Sequence, residues 1–142
     1  MGNNRLGTSL EERIVNLSGQ PGSWNANVDE STIIILTDER ANRIRIMMPV
    51  MELEDQGQQE VLVRLLEANF DTALDAKYAI RDGVVWSVFL HPLSALTEAD
   101  LDSGLAQVRR LRATTGTSFS SSDLHFRGGD PADPQDNGKP EA

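Results

Sequence analysis

The sequence contains no cysteine, and this absence excludes disulfide bonds, thiol chemistry and cysteine-based zinc sites. Histidine, another common ligand of transition metals, occurs only at His91 and His125. With two isolated histidines and no thiolate, the folded protein is expected to need neither zinc nor another transition ion. We therefore predict no metal and no other cofactor.

Long apolar runs are missing as well. The wholly apolar runs, such as residues 33–36, are far too short to span a bilayer. The stretch from Met1 to Arg5 has no apolar segment of the kind that a signal peptide requires. The sequence therefore predicts a cytoplasmic protein with no membrane partner.

Basic residues are outnumbered by acidic ones. The chain has 13 Lys and Arg against 22 Asp and Glu, which gives a formal net charge of −9. This balance disfavours nucleic acid as a partner, because a phosphate backbone requires clustered Lys and Arg. It suits apolar or basic polypeptide segments. Hydrophobic residues make up 39% of the 142 positions, a length and composition that fit one globular domain.

Catalytic motifs are also missing. The sequence has no P-loop, no dinucleotide-binding fingerprint and no H-E-x-x-H zinc motif. Asp71 and Asp75, with Glu67, could form a carboxylate site. Charges that solvate a helix end and a strand entry explain these residues more simply, because no electrophilic or metal-binding partner is evident. We predict no catalytic residues; the alternative is a small enzyme of unrecognised type that uses Asp71, Asp75 and His91.

What the sequence does contain is a β-hairpin. Apolar residues alternate from Leu74 to Ile80, and Asp82-Gly83 favours the positive φ angles of a tight turn. The return strand, Val84 to His91, is apolar on both alternating sets, and Pro92 is expected to end it. Such a strand must be covered on both sides.

Periodicity and capping signals assign the rest of the chain. A capping box at Thr8 predicts the start of a first helix, residues 55–69 with Asp55 as cap form a second, and Thr97 caps a third. Three strands precede the second helix: Ser23–Val28, Thr32–Thr37 and Arg43–Met48. Pro49 is expected to bend or end the last of them. The order α-β-β-β-α-β-β-α predicts an α+β sandwich with one antiparallel sheet packed against helices.

The two sides of the return strand differ in composition. One set is wholly apolar and is predicted to pack on the helices: Val84, Trp86, Val88 and Leu90. The other mixes apolar and polar residues, as a protein interface does. Three helices are too few to cover both faces of a five-stranded sheet. We therefore predict a homodimer, with a protein or peptide as a further partner, whose interface includes five hairpin residues: Lys77, Ala79, Val85, Phe89 and His91.

Four segments occur in the order 43–50 (RIRIMMPV), 65–70 (LLEANF), 73–80 (ALDAKYAI) and 85–93 (VWSVFLHPL). Together with the element order, they resemble the YbjN-like family, whose fold is similar to that of the type III secretion chaperones of the CesT kind. The resemblance covers roughly residues 8 to 119. It implies a dimeric sandwich that binds polypeptide partners and catalyses nothing, either as a chaperone or as a regulatory adaptor. The YbjN-like branch is often labelled a sensory transduction regulator.

The chain therefore divides into a predicted YbjN-like or secretion chaperone-like domain, residues 8–126, and a predicted disordered acidic tail, residues 127–142. Leu124, His125 and Phe126 are assigned to the domain as a short extension. The tail is rich in Gly, Pro and Asp and has almost no apolar side chain, so it cannot bury a core of its own.

Overall fold

The computed structural model describes residues 1–115. In chain order its elements are α1 (Asn3–Arg13), β1 (Ser18–Gln20), β2 (Ser23–Val28), β3 (Ser31–Asp38), β4 (Arg43–Glu52), α2 (Gln58–Asp71), β5 (Lys77–Arg81), β6 (Val84–Pro92) and α3 (Glu98–Thr114). The predicted α+β fold class and element order are confirmed, with β1 as an additional short strand. The predicted tail and the extension at residues 124–126 lie outside the described residues.

The six strands of residues 1–115 form one antiparallel sheet in the order β1-β2-β3-β4-β6-β5. Because α2 follows β4, the chain leaves the centre of the sheet and re-enters it through the edge strand β5. The β5–β6 hairpin then brings β6 back beside β4. These two strands pair from Arg43 opposite Pro92 to Glu52 opposite Val84.

Two tight turns use positive φ angles at residues other than glycine. The predicted hairpin turn is confirmed, with φ of 53° at Asp82 and 78° at Gly83. Asp29 and Glu30, which join β2 to β3, have φ of 55° and 62°. Arg109 of α3 supports this second turn, because it donates hydrogen bonds of 2.8 and 2.9 Å to the two carboxylate oxygens of Asp29. The pair lowers the pKa of the Asp29 carboxyl.

The first helix begins earlier than its capping signal predicts. α1 starts at Asn3, and Thr8 lies inside it, where its hydroxyl donates to the carbonyl of Asn4. Leu6 is fully buried in the core beside Leu10. Burial of this extra turn against the sheet outweighs the local capping preference of Thr8, so the predicted start was wrong.

Pro49 does not end β4. The strand continues to Glu52, and its pairing with β6 shifts register between Pro49 and Met51. An irregularity of this kind accommodates a residue that has no N–H to donate to the ladder. The return strand likewise extends through Pro92, one residue beyond its predicted end.

Other predicted boundaries also move. α2 begins after Gly57, with no side-chain cap from Asp55, and continues past Asn69. β5 begins only at Lys77, because the backbone N–H groups of Asp75 and Ala76 donate to the side-chain oxygen of Gln107 on α3 instead of a strand partner.

The core lies between one face of the sheet and the helices. Strand alternation directs one set of residues to this side: Trp24, Ala26, Ile33, Ile35, Ile44, Ile46, Met48, Tyr78, Val85, Ser87 and Phe89. Most of these residues form the main core cluster with apolar side chains of α1 and α3: Leu6, Leu10, Leu101, Leu105 and Val108. Leu65 and Ala68 of α2 form a second cluster with Tyr78 and Val85 near the β5 edge.

α3 approaches the sheet most closely at Gly104. A Cβ atom at this position would lie 2.7 Å from the Cδ2 and Cε2 atoms of the buried Phe89. One helical turn after Gly104, the backbone carbonyl of Val108 accepts a 3.0 Å hydrogen bond from the hydroxyl of Ser87, which is fully buried on β6. The ring of Phe89 and the hydroxyl of Ser87 thus fix both the distance and the register of α3 on β6.

An ion-pair cluster joins α1 to α3. Glu98 accepts hydrogen bonds from Ser9 at 2.8 Å and from Arg5 at 3.1 Å, and Arg13 pairs with Asp102 at 2.6 Å and with Glu98 at 3.0 Å. The hydrogen bond from Ser9 and the two arginines lower the pKa of Glu98, and Arg13 lowers the pKa of Asp102.

The two helical glycines allow a matched test of the α3 contact. Gly104→Ala should destabilise the protein by roughly 1–3 kcal/mol, because its Cβ overlaps the Phe89 ring. Gly7→Ala on α1 meets Trp24 at an ordinary 3.5 Å and should be neutral or stabilise by up to about 1 kcal/mol through helix propensity. Denaturant unfolding measures both changes. Equal effects at the two positions would contradict the close approach.

Acid should weaken the α1–α3 cluster. The pKa of Glu98 is lower in the folded state, so its stabilisation is complete above the ordinary carboxyl pKa of about 4 and is lost as the pH falls below it. Thermal melts between pH 6 and pH 3 should show a falling midpoint, and Glu98→Gln should reduce that fall. An unchanged pH profile in the variant would show that Glu98 contributes nothing to the pH dependence.

Candidate protein-interaction surfaces

One face of the sheet has no helix packed on it within residues 1–115. The helices pack on the opposite side, where both apolar clusters lie. The uncovered side, here called the open face, has an apolar centre formed by β3, β4 and β6: Ile34, Leu36, Met47, Trp86, Val88 and Leu90. Most of these side chains are half-buried by their neighbours, and Leu90 is 53% exposed.

The predicted assignment of faces on β6 was wrong. Val85, Ser87 and Phe89 face the helices and are buried, while the wholly apolar set with Trp86 and Val88 lies on the open face. Two contacts with α3 decide the orientation: Gly104 makes space for Phe89, and Val108 supplies the acceptor that Ser87 requires. Val85 and Phe89 are therefore core residues and are not available as interface residues.

The other three predicted interface residues are divided between the two faces. His91 lies on the helix side, where its ring stacks on Phe89 at 5.8 Å and its Nε2 atom is 3.7 Å from Asp100. Lys77 pairs in register with Val88, and Ala79 with Trp86. Both are exposed on the open face, so their predicted place at an interface stays a prediction.

Cations border the apolar centre of the open face. Arg43 and Arg45 lie on the open side of β4, and Lys77 and Arg81 lie on the open side of β5. The register places Arg45 beside Leu90 and Lys77 beside Val88. All four cations are exposed.

Trp86 carries a polar atom that the core does not satisfy. Its Nε1 atom is buried and has no hydrogen-bond acceptor among the described residues, although the side chain as a whole is only half-buried. An unsatisfied donor of this kind reduces the stability of the free protein. Ser87, the next residue of β6 and on its helix-covered side, has its acceptor.

A second uncovered apolar surface lies along α2. Val63, Leu66 and Phe70 recur at i, i+3 and i+7, and Phe70 is 90% exposed. Leu74 and Ile80 are also exposed, and the five residues together are called the α2 patch. They account for five of the seven large apolar side chains that are exposed in residues 1–115. Leu66 directly follows the buried Leu65, and the spacing of apolar residues in the sequence does not separate the exposed stripe from the buried one.

Asn69 attaches α2 to the edge of the sheet. Its side-chain amide donates to the carbonyl of Tyr78 at 3.2 Å and accepts from the N–H of Tyr78 at 2.7 Å. These are the bonds that a neighbouring strand would make, so this part of the β5 edge is not open to strand addition. The attachment also brings α2 close to the strand that contains Ile80.

The residues of the alternative enzyme hypothesis are held at separate places. His91 lies near Asp100, whereas Asp75 accepts a 3.3 Å hydrogen bond from Gln107. Asp100 and Gln107 are two helical turns apart on α3, which is about 10 Å. Asp71 is exposed at the end of α2. No group of three His, Asp or Glu in residues 1–115 is arranged to hold a metal ion, and His125 lies outside the described residues.

Among the described residues, no helix combines the length and the apolar composition that crossing a bilayer requires.

Comparisons with known proteins identify the fold. No protein-family model matches the chain, and no curated protein matches it either. A chain of the HopA1–SchA chaperone–effector complex superposes with a TM-score of 0.57 at 16% identity, covering 78% of this chain and 87% of its own length. A chain of the ExsC–ExsE complex superposes with a TM-score of 0.63 at 14% identity, covering 84% and 96%. The chain thus shares its fold with chains of these two complexes, and the secretion chaperone-like fold predicted from the sequence is confirmed.

The corrected face assignment yields a direct stability test. Phe89→Ala should destabilise the protein by roughly 3–5 kcal/mol, because it leaves a cavity beneath α3. Trp86→Ala should cost clearly less, since this side chain is only half-buried and its removal also removes an unsatisfied donor. Denaturant midpoints compare the two, with Leu90→Ala as an open-face control. A larger loss for Trp86→Ala would reverse the assignment.

Proposed function

We propose that this chain is a non-catalytic, chaperone-like module that binds polypeptide partners as a homodimer in the cytoplasm. The observation that carries the proposal is the sheet itself, which has one face filled by helices and one apolar face left open. An exposed apolar surface bordered by polar groups is typical of a protein-binding site. The likeness to chains crystallised in a chaperone–effector complex and in the ExsC–ExsE complex supports a protein partner.

We assign the homodimer contact to the α2 patch. Large apolar side chains rarely collect on the surface of a monomer at this density. A stripe at i, i+3 and i+7 can pack against its own copy across a two-fold axis, because both helices present the same ridge. This assignment replaces the hairpin interface predicted from the sequence, since Val85 and Phe89 are buried within one chain.

The open face is left for the polypeptide partner. Its apolar centre extends over three adjacent strands, and Lys77 and Ala79 extend it onto β5. The membership of the YbjN-like branch and the regulatory role attached to it rest on the sequence resemblance. We include them in the proposal as the narrower description of an adaptor that holds a partner on this face.

A photo-crosslinking amino acid can test the polypeptide site. Placed at Leu90 on the open face, it should capture the same protein reproducibly from lysate, whereas placement at the exposed Val15 should not. Val15 is 79% exposed and lies outside both surfaces, so it controls for chance collisions. Equal capture from both positions would contradict a partner site on the open face.

The dimer assignment predicts a specific loss of association. Phe70→Glu should convert the dimer to a monomer without unfolding it, because an unpaired carboxylate cannot be desolvated at the centre of the contact. Val15→Glu, at another strongly exposed apolar position outside the α2 patch, should leave the dimer intact. Light scattering across micromolar concentrations measures the mass of each variant. A monomeric wild type, or a dimeric Phe70→Glu variant, would refute the assignment.

A further inference from the structure

We propose that the segment bound on the open face carries carboxylate side chains interspersed with apolar ones, an inference that rests on the polypeptide-binding function proposed above. The chain as a whole has a net charge of −9, and such a surface would ordinarily favour basic partners. The open face is a local exception to that rule. By register, four cations on β4 and β5 lie on this face, Arg43, Arg45, Lys77 and Arg81, against two carboxylates at its ends, Asp38 and Glu52.

Three of the six arginines on the helices of residues 1–115 are paired with carboxylates within the chain. Arg13 pairs with Asp102 and Glu98, Arg5 with Glu98, and Arg109 with Asp29. These pairs have structural roles, because each one joins two elements of the fold. These three arginines therefore offer little charge to an outside partner.

The open-face cations are different. Within residues 1–115, no carboxylate lies at ion-pair distance from Arg43, Arg45 or Lys77, and Arg81 has only the exposed Asp82 at 3.5 Å. Arg43 and Lys77 donate instead to backbone carbonyls, those of Asn42 and Asn69. Three of the four cations thus have charge available for an incoming carboxylate.

Register places these cations where a bound segment would meet them. Arg45 lies opposite Leu90 and Lys77 opposite Val88, on the two strands that flank β6. A segment with apolar side chains on the centre would have its flanking side chains above these positions. Carboxylates there would gain charge-assisted hydrogen bonds, whereas lysines would meet like charge.

The charges on the open face disfavour some occupants of that face and leave one competing occupant. A segment with basic flanks is disfavoured by repulsion from the open-face border. The chain's own α2 has apolar residues flanked by Glu60, Glu67 and Asp71, which is the chemistry proposed for the partner. A second copy of this chain is therefore the competing occupant, and the experiment must distinguish it.

Three labelled 16-residue peptides serve as probes. They share the same leucine positions and carry Glu, Gln or Lys at the positions between them. Fluorescence anisotropy with the full-length protein at low salt should show the Glu peptide binding about tenfold more tightly than the Gln peptide, as expected for several exposed pairs acting together, with the Lys peptide weakest. Added salt should reduce the difference.

Charge-reversal variants locate the effect. Arg45→Glu combined with Lys77→Glu should invert the order, so that the Lys peptide binds best. Arg40→Glu combined with Arg110→Glu changes the net charge equally at exposed positions elsewhere and should preserve the order. Thermal melts and light scattering on both double variants establish that they are folded and still dimeric.

The outcomes separate this inference from the proposed function. Equal binding of all three peptides, reduced by Leu90→Asp, would overturn the carboxylate preference and leave the polypeptide site standing. Tightest binding of the Lys peptide would also overturn it. No binding of any peptide would overturn both. Dissociation of the dimer by Arg45→Glu with Lys77→Glu would show that a second copy occupies the open face, which overturns the inference as well.

Discussion

The packing of α3 on β6 determines how the rest of the molecule is arranged. Phe89 fits beneath Gly104, and Ser87 finds its acceptor on Val108, so one side of β6 is committed to the helices. Because side chains alternate along a strand, this commitment directs Trp86, Val88 and Leu90 to the opposite side. The apolar open face is therefore a direct consequence of a glycine and a hydroxyl on the covered face.

The periodicity of apolar residues was sufficient to predict most of the helices and strands. It was insufficient to predict which side of an element is buried. The alternation of β6, the turn at Asp82-Gly83 and the Thr97 cap of α3 are local signals, and each agrees with the structure. Which side of β6 is buried depends on the partner that Ser87 meets on α3, an interaction between distant segments. The start of α1 has the same cause, since Leu6 is helical because the sheet buries it. Of the predicted interface residues, only Lys77 and Ala79 lie on an uncovered sheet face, and the α2 patch was not predicted because Leu66 fits the same helical pattern as the buried Leu65.

The charged residues on the two sides of the sheet differ in their partners. On the helix side, arginines from α1 and α3 pair with carboxylates that join α1, α3 and the β2–β3 turn. On the open face, four cations of β4 and β5 border an apolar surface, and three of them have no carboxylate at ion-pair distance in residues 1–115. An overall acidic chain can thus present a locally basic, apolar site, and its net charge alone does not describe the partner that it suits.

The position of α2 between β4 and β5 also has a kinetic consequence. Arg43 pairs with Pro92 across 49 residues, so the central strand pair is one of the least local contacts in the sheet. Its formation requires closure of a long loop, which slows folding relative to the neighbouring hairpins. Until β6 arrives, β4 presents an unpaired edge and apolar side chains on a partly built sheet. A partly synthesised chain that still lacks β6 is therefore the form most prone to aggregation.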